Sequence, residues 1–305
     1  MPTPPARRLF LVAEMHGLDH RRLLAHDYAL INPLQVDSQF WADLPLESLV
    51  PRGAADAGHY PLLLEFARLA TDGRVDLLDR DGAHRRHSRK PFFSALLRAP
   101  GTSKELAAHL RRQMVVKGPA PTRDQVLLRY YDPVVFRHLL WVLNPGQRSA
   151  LMGGVTHWTW CDPRWGWQQY ERENARDSTR RMLDQAQWDS LKRIGLLNRS
   201  LQHWTRSEPD LLEGHVDFYR RADALLGESW TVHKLQNEAD RRQYAALELR
   251  HAGIHRHPHL VERLALVSMG AMSYADACGD LDPAGLLSLL ADIDNRTVAM
   301  DANTP

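Results

Sequence analysis

The sequence predicts an α+β protein in two lobes. The N-terminal lobe, residues 1–172, is expected to carry a mixed β-sheet flanked by helices, and the C-terminal lobe, residues 173–305, to be all helical. Three observations lead there. The run from Val126 to Leu143 is first β-branched and aromatic, then changes at Asp132-Pro133 to an apolar stripe at Phe136, Leu139, Leu140 and Leu143, which is helical spacing. The stretch from Val155 to Tyr170 alternates tryptophans with polar residues around the turn signal Asp162-Pro163-Arg164, as a β-hairpin does. Beyond Tyr170 the chain turns strongly charged and then keeps i, i+3/i+4 periodicity, beginning with Trp188, Leu191, Ile194, Leu197, Leu201 and Trp204.

In chain order, residues 7–25 are mixed, and Tyr28-Ala-Leu-Ile-Asn32 reads as a short buried strand stopped by Pro33. Residues 34–57, broken by Pro45 and Pro51, read as loop with short helical pieces. A strand is expected over His59–Phe66, with Pro61 near its start, where a missing N–H is tolerated. The charge-rich run from Asp79 to Lys90 reads as a solvated loop, with an anion or partner patch as the sharper alternative. Pro91–Leu97 is expected as another strand. Thr102-Ser-Lys-Glu105 has capping-box spacing and starts a helix through Leu106, Leu110 and Met114, with Arg111 and Arg112 favouring its C-terminal dipole. Asp132 is a good N-cap, Pro133 suits the first helical position, and Asn144-Pro145-Gly146 closes that helix. The C-terminal lobe is expected as helices over 183–206, 209–226, 230–252, 258–270 and 283–295, punctuated by Pro209 and Gly227, with Gly253 as a cap.

Composition removes several classes of function. With 39 basic and 37 acidic residues the net charge is only +2, too balanced for a nucleic-acid footprint. Two distant cysteines, Cys161 and Cys278, fit a reducing compartment. Arg7-Arg8 is followed by a very short apolar run that Glu14 interrupts, unlike a signal peptide, and no stretch is long and apolar enough to span a bilayer. A cytoplasmic location is the expectation.

Candidate chemistry is sparse. His251, His255, His257 and His259 could converge on zinc if the segment were extended, but no Cys or carboxylate stands at ligand spacing, and a polar turn before a helix opened by Pro258 is preferred. A carboxylate beside a guanidinium, as Asp132 beside Arg129, can be catalytic, but the capping role accounts for it better. His157 and Cys161 would share a strand face yet lie roughly 13 Å apart, too far for a nucleophile–base pair. No Walker A string, Gly-x-Gly-x-x-Gly or Gly-x-Ser-x-Gly occurs. No catalytic, cofactor-binding or metal residue is therefore assigned. Trp158, Trp160, Trp165, Trp167 and Tyr170 read as hairpin and core packing or, alternatively, as a partner surface, and are the best physical candidates for partner contact.

The string Leu127-Leu-Arg-Tyr-Tyr-Asp-Pro-Val-Val-Phe136, followed by Leu143-Asn-Pro-Gly-Gln-Arg-Ser-Ala-Leu-Met-Gly-Gly154, resembles the core of the type VI secretion effector adaptors, the Tap/TEC chaperones. Tyr28–Asn32, His59–Phe66 and the stretch from Leu249 to Glu262 are similar to further segments of that family, although Asn32 stands where the family often has an acid. The resemblance implies a cytoplasmic adaptor, not an enzyme and without cofactor. It would bind a cognate toxin effector and help load it onto the VgrG spike or its PAAR tip, with no nucleic-acid or membrane partner. Arg129, Asp132 and Pro133 are its structural motif. A metal-dependent hydrolase or toxin using the His251–His259 cluster is the alternative.

Overall fold

A computed structural model of the chain describes residues 17–51, 53–54, 57–120, 124–173, 182–212, 216–279, 281, 285–286 and 288–292. The chain divides into two compact units, Met1–Gln187 and Trp188–Pro305, the division falling beyond the polar stretch 171–181. The fold class is α+β, as expected.

The first unit runs α1 (His20–Leu24), β1 (Tyr28–Ile31), β2 (Leu46–Ser48), β3 (Leu62–Glu65), α2 (Thr71–Ser88), β4 (Ala95–Arg98), α3 (Ser103–Gln113), β5 (Val115–Lys117), β6 (Gln125–Leu127), α4 (Pro133–Val142), α5 (Pro145–Met152), β7 (His157–Asp162) and β8 (Gly166–Glu171). Six strands form one sheet in the order β2-β3-β1-β4-β7-β8, and β5 and β6 form a separate hairpin. Every described pairing is antiparallel, so the sheet is not mixed. The strand–helix–strand unit β3–α2–β4 suggests parallel neighbours, but β1 lies between β3 and β4 and pairs antiparallel with both.

All four residues of β1 are buried, because both faces of the sheet are covered. On one face Ala29, Ile31, Leu64, Leu96, Cys161 and Trp167 pack with Leu77 of α2 and with Phe92 and Phe93. On the other, Phe136 of α4 stacks on Trp158 at 4.7 Å and meets Trp160 edge-on at 5.1 Å. The hairpin rings thus split between the faces, as strand alternation requires.

The charged run is not a solvated loop: residues 79–88 form the second half of α2, which Arg89 closes in the left-handed conformation. Its buried residues are only Leu77, Asp81 and His84, too few for a readable apolar stripe. Asp81 fixes it instead, accepting the N–H groups of Leu18 at 3.3 Å and Phe92 at 3.0 Å and pairing with Arg85 at 2.6 Å. The strand expected from Val126 is also shorter than its composition suggests. β6 ends at Leu127 and belongs to the small hairpin, not to the main sheet.

In the second unit, α6 (Gln185–Ser207) continues past the division and is followed by α7 (Val216–Thr231), α8 (Glu238–Arg250), α9 (Pro258–Ser268) and α10 (Tyr274–Cys278). Gly227 does not punctuate: it lies inside α7, where a Cβ would come within 3.1 Å of the Arg193 guanidinium carbon. The break falls later, and Asn237 caps α8. Gly253 does adopt the left-handed conformation, with φ +85°. Of the helix expected over 283–295, residues 285–286 and 288–292 are described, all helical, and the remainder lies outside the described residues. No helix among the described residues is long and apolar enough to cross a membrane.

Candidate functional site

The segment from Arg129 to Pro133 leaves the small hairpin and starts α4. Asp132 caps that helix, its Oδ1 accepting the Val134 N–H at 3.2 Å while Oδ2 accepts from Arg129 Nη2 at 3.0 Å, and Pro133 occupies the first turn. Both tyrosines between them are buried. Tyr130 donates its hydroxyl to the Leu110 carbonyl at 2.8 Å, and Tyr131 donates to the His59 carbonyl at 3.4 Å. The motif thus bolts α4 to α3 and to the turn before β3. Burial pushes the Asp132 carboxyl above its usual range, outweighing the pull of Arg129 and the Val134 N–H. Burial raises the Tyr130 and Tyr131 hydroxyls as well. Asp132 is buried and both its oxygens are engaged, while the Arg129 side chain keeps 43% exposure. The motif holds structure together; its accessible group is a cation.

Of the two readings of the aromatic hairpin, core packing and partner surface, the buried rings follow the first. Trp158, Trp160 and Trp167 are 1%, 3% and 5% exposed, so a partner could reach them only after the core opened. Their burial makes them core residues and not surface contacts. The guanidinium groups of Arg22 and Arg85 each lie 5.6 Å from the Trp167 ring centre. Trp165 and Tyr170 remain half-buried: Trp165 packs under Arg164 at 4.6 Å, and the Tyr170 hydroxyl accepts from Arg148 Nε at 3.0 Å. Phe136, Leu139, Leu140, Leu151 and Met152 line a shallow apolar depression beside Tyr170 that encloses no room for a ligand, whereas small-molecule sites hold roughly 300–1,000 Å³.

The histidine run does not converge. His255 is buried, stacks on Tyr244 at 4.1 Å, and has Nδ1 on Glu248 at 2.7 Å and Nε2 on the Tyr274 hydroxyl at 2.6 Å. His257 Nδ1 accepts the His259 N–H at 3.3 Å and caps α9. Among the described residues, no three His, Cys, Asp or Glu side chains gather as a metal-ligand set. Cys161 is buried, and burial raises its thiol despite the Arg85 guanidinium beside it.

Residues 38–150 match one family model. It is described as a domain of unknown function, DUF4123. This domain is known from type VI secretion effector adaptors. The matched span covers somewhat over a third of the chain, from the turn before β2 into α5, and contains the whole Arg129–Pro133 motif. The central strand β1 and the β7–β8 hairpin lie outside it. No curated protein and no solved structure matches the chain.

One feature inside the DUF4123 span escaped sequence reasoning. β5 and β6 bear an exposed apolar pair, Val115 at 41% and Leu127 at 43%, directly opposite one another. The β-branched pair Val115-Val116 was the available signal, but so short a run does not distinguish a strand from a helix end.

Proposed function

We propose that the chain is a cytoplasmic effector adaptor of type VI secretion, which binds a cognate toxin and helps load it onto the VgrG spike or its PAAR tip. The match of residues 38–150 to DUF4123 carries this reading. The chain acts by holding a polypeptide, with no chemical step of its own. Supporting this, the Asp132 carboxylate is committed to a helix cap and an ion pair, and both ring nitrogens of His255 are engaged. The competing hydrolase reading needs the His251–His259 cluster to face one point, and no observation favours it.

The test is co-expression with the effector encoded beside the chain's own gene, followed by size-exclusion chromatography with and without the spike protein. A stoichiometric adaptor–effector complex that also retains the spike is expected. Separate elution of all components, or turnover by the isolated chain that a chelator abolishes, overturns the reading.

A further inference from the structure

Trp230, near the end of α7, is 46% exposed, and Val232, two residues on, is 64% exposed. The guanidinium of Arg241, on α8, lies over the Trp230 ring, 5.5 Å from its centre. Arg241 is half-buried, and among the described residues no carboxylate pairs with it. Its Nη2 donates to the Leu226 carbonyl at 2.9 Å, its Nε is buried without an acceptor, and its Nη1 has no acceptor either but is open to water. The acids nearby are committed elsewhere. Asp223 holds Arg193 at 2.9 Å, Glu238 holds Arg199 at 2.7 Å, Glu228 accepts the Tyr244 hydroxyl at 3.0 Å, and Asp240 accepts the Tyr274 N–H at 3.1 Å. Burial lowers the Arg241 pKa from its ordinary value, the Arg193 cation adds to this, and Glu238 opposes it.

A guanidinium held partly out of water without a counter-charge is costly, and one neutral carbonyl offsets only part of that cost. We infer that Arg241 and Trp230 form a recognition site for an acidic residue with apolar neighbours on the partner polypeptide. The carboxylate accepts from Arg241 Nη1, a charge-assisted bond stronger than the one the Leu226 carbonyl provides. An apolar side chain beside it covers the part of the Trp230 ring that water now reaches. The ring in turn holds the guanidinium in place by cation–π attraction. Trp and Arg are the residue types that carry most binding energy at protein interfaces. A free phosphate would engage Arg241 but leave the indole uncovered, so the exposed ring favours a peptide. The inference rests on the adaptor reading and deepens it by giving the kind of segment recognised.

The probe is acetyl-Leu-Glu-Leu-amide, titrated into the full chain by calorimetry and followed at the Trp230 indole N–H resonance, which W230F identifies by its loss. Controls are the same peptide with Gln for Glu, the same peptide with Gly for both leucines, and inorganic phosphate. Saturable binding of the Glu peptide with a shift of the Trp230 resonance is expected, about tenfold weaker with Gln and weaker with Gly. R241Q is expected to bind the Glu and Gln peptides alike, and W230A to weaken the Glu peptide about tenfold, with circular dichroism native in both. Should R241Q fail to fold, W230A carries the test. No saturable binding by wild type, equal binding of its Glu and Gln peptides, or unchanged binding by folded R241Q or W230A overturns the inference. A shift with phosphate as large as with the peptide does so too, since the apolar neighbours would then be irrelevant. So does self-association of the chain that W230A abolishes, since the occupant would then be a second copy. Retention of the effector by wild type, R241Q and W230A alike refutes this site but leaves the adaptor reading standing. Failure of wild type to retain any effector refutes the adaptor reading itself.

Discussion

Trp158→Ala tests most directly where the hairpin tryptophans lie. The indole is 1% exposed, stacked on Phe136 at 4.7 Å with planes 10° apart, and met edge-on by Tyr130 at 5.7 Å. Phe or Trp to Ala changes in a packed core cost about 3–5 kcal/mol, the aromatic pairing being part of that loss. Both flanking rings are themselves buried, in β7's neighbour α4 and in the motif, so the site has little freedom to collapse, which argues for the middle of that range or above. At about 2–4 °C of Tm per kcal/mol for a unit of this size, the first unit should melt roughly 8–16 °C earlier. Thermal and urea unfolding followed by tryptophan fluorescence and near-UV circular dichroism measure it, with the second unit's transition unchanged. Trp165→Ala is the control: half-buried against Arg164, it should cost under about 1 kcal/mol. A Trp158→Ala midpoint within 2 °C of wild type, or equal losses from the two substitutions, would refute the placement of these rings (the 2 °C limit being about 1 kcal/mol or less).

Asp132→Ala removes the α4 cap and should cost about 1 kcal/mol, whereas Asp132→Asn, which keeps an acceptor, should cost only a few tenths, read from urea midpoints. Burial raises the folded pKa of Asp132, so its contribution is complete below the ordinary carboxyl value of 3.8 and declines as pH rises through the raised value; Asp132→Asn should flatten that decline in a pH series of Tm. Burial also pushes Glu248 upward, but the hydrogen bonds from His255 and Gly253 outweigh it and leave the carboxyl below 4.5. Its stabilisation is therefore present above 4.5 and lost as pH falls through the lowered value, and Glu248→Gln should destabilise the second unit by roughly 1.5–3 kcal/mol at pH 7 and remove that acid-side loss. Gly153→Ala meets both a φ of +57° and a clash of the new Cβ with the His109 ring, so a loss of about 3 kcal/mol is expected in urea unfolding.

The parts of this fold that could be read in advance are those whose contacts lie within a few residues. Thr102 and Glu105 form their reciprocal cap, Asp132 and Pro133 start α4, and Pro258 opens α9, each as spacing along the chain requires. The stop at Asn144-Pro145 was legible for the same reason, although the same Asn also caps a second helix, α5, through Gln147. The β7–β8 hairpin follows from its turn and alternation, and its register pairs Asp162 with Gly166 across that turn.

What the chain's own order left open was decided by partners far away in sequence. Whether a tryptophan is a contact or a core residue depends on what covers its face, and for Trp158 that cover is Phe136, which period-2 alternation does not mention. The helix α2 is held largely by polar contacts, the buried Asp81 reaching Leu18 and Phe92 and Arg80 reaching Asp43 and the Phe40 carbonyl, so a charge-rich string became ordered without an apolar stripe. The antiparallel sheet depends on β1 inserting between β3 and β4, a matter of long-range pairing. His255 turns inward onto Glu248 and Tyr274 because two helices and a turn close around it. Caps and turns are local and therefore written in the sequence itself. Burial is a property of the assembled chain, and only the tertiary structure could assign it.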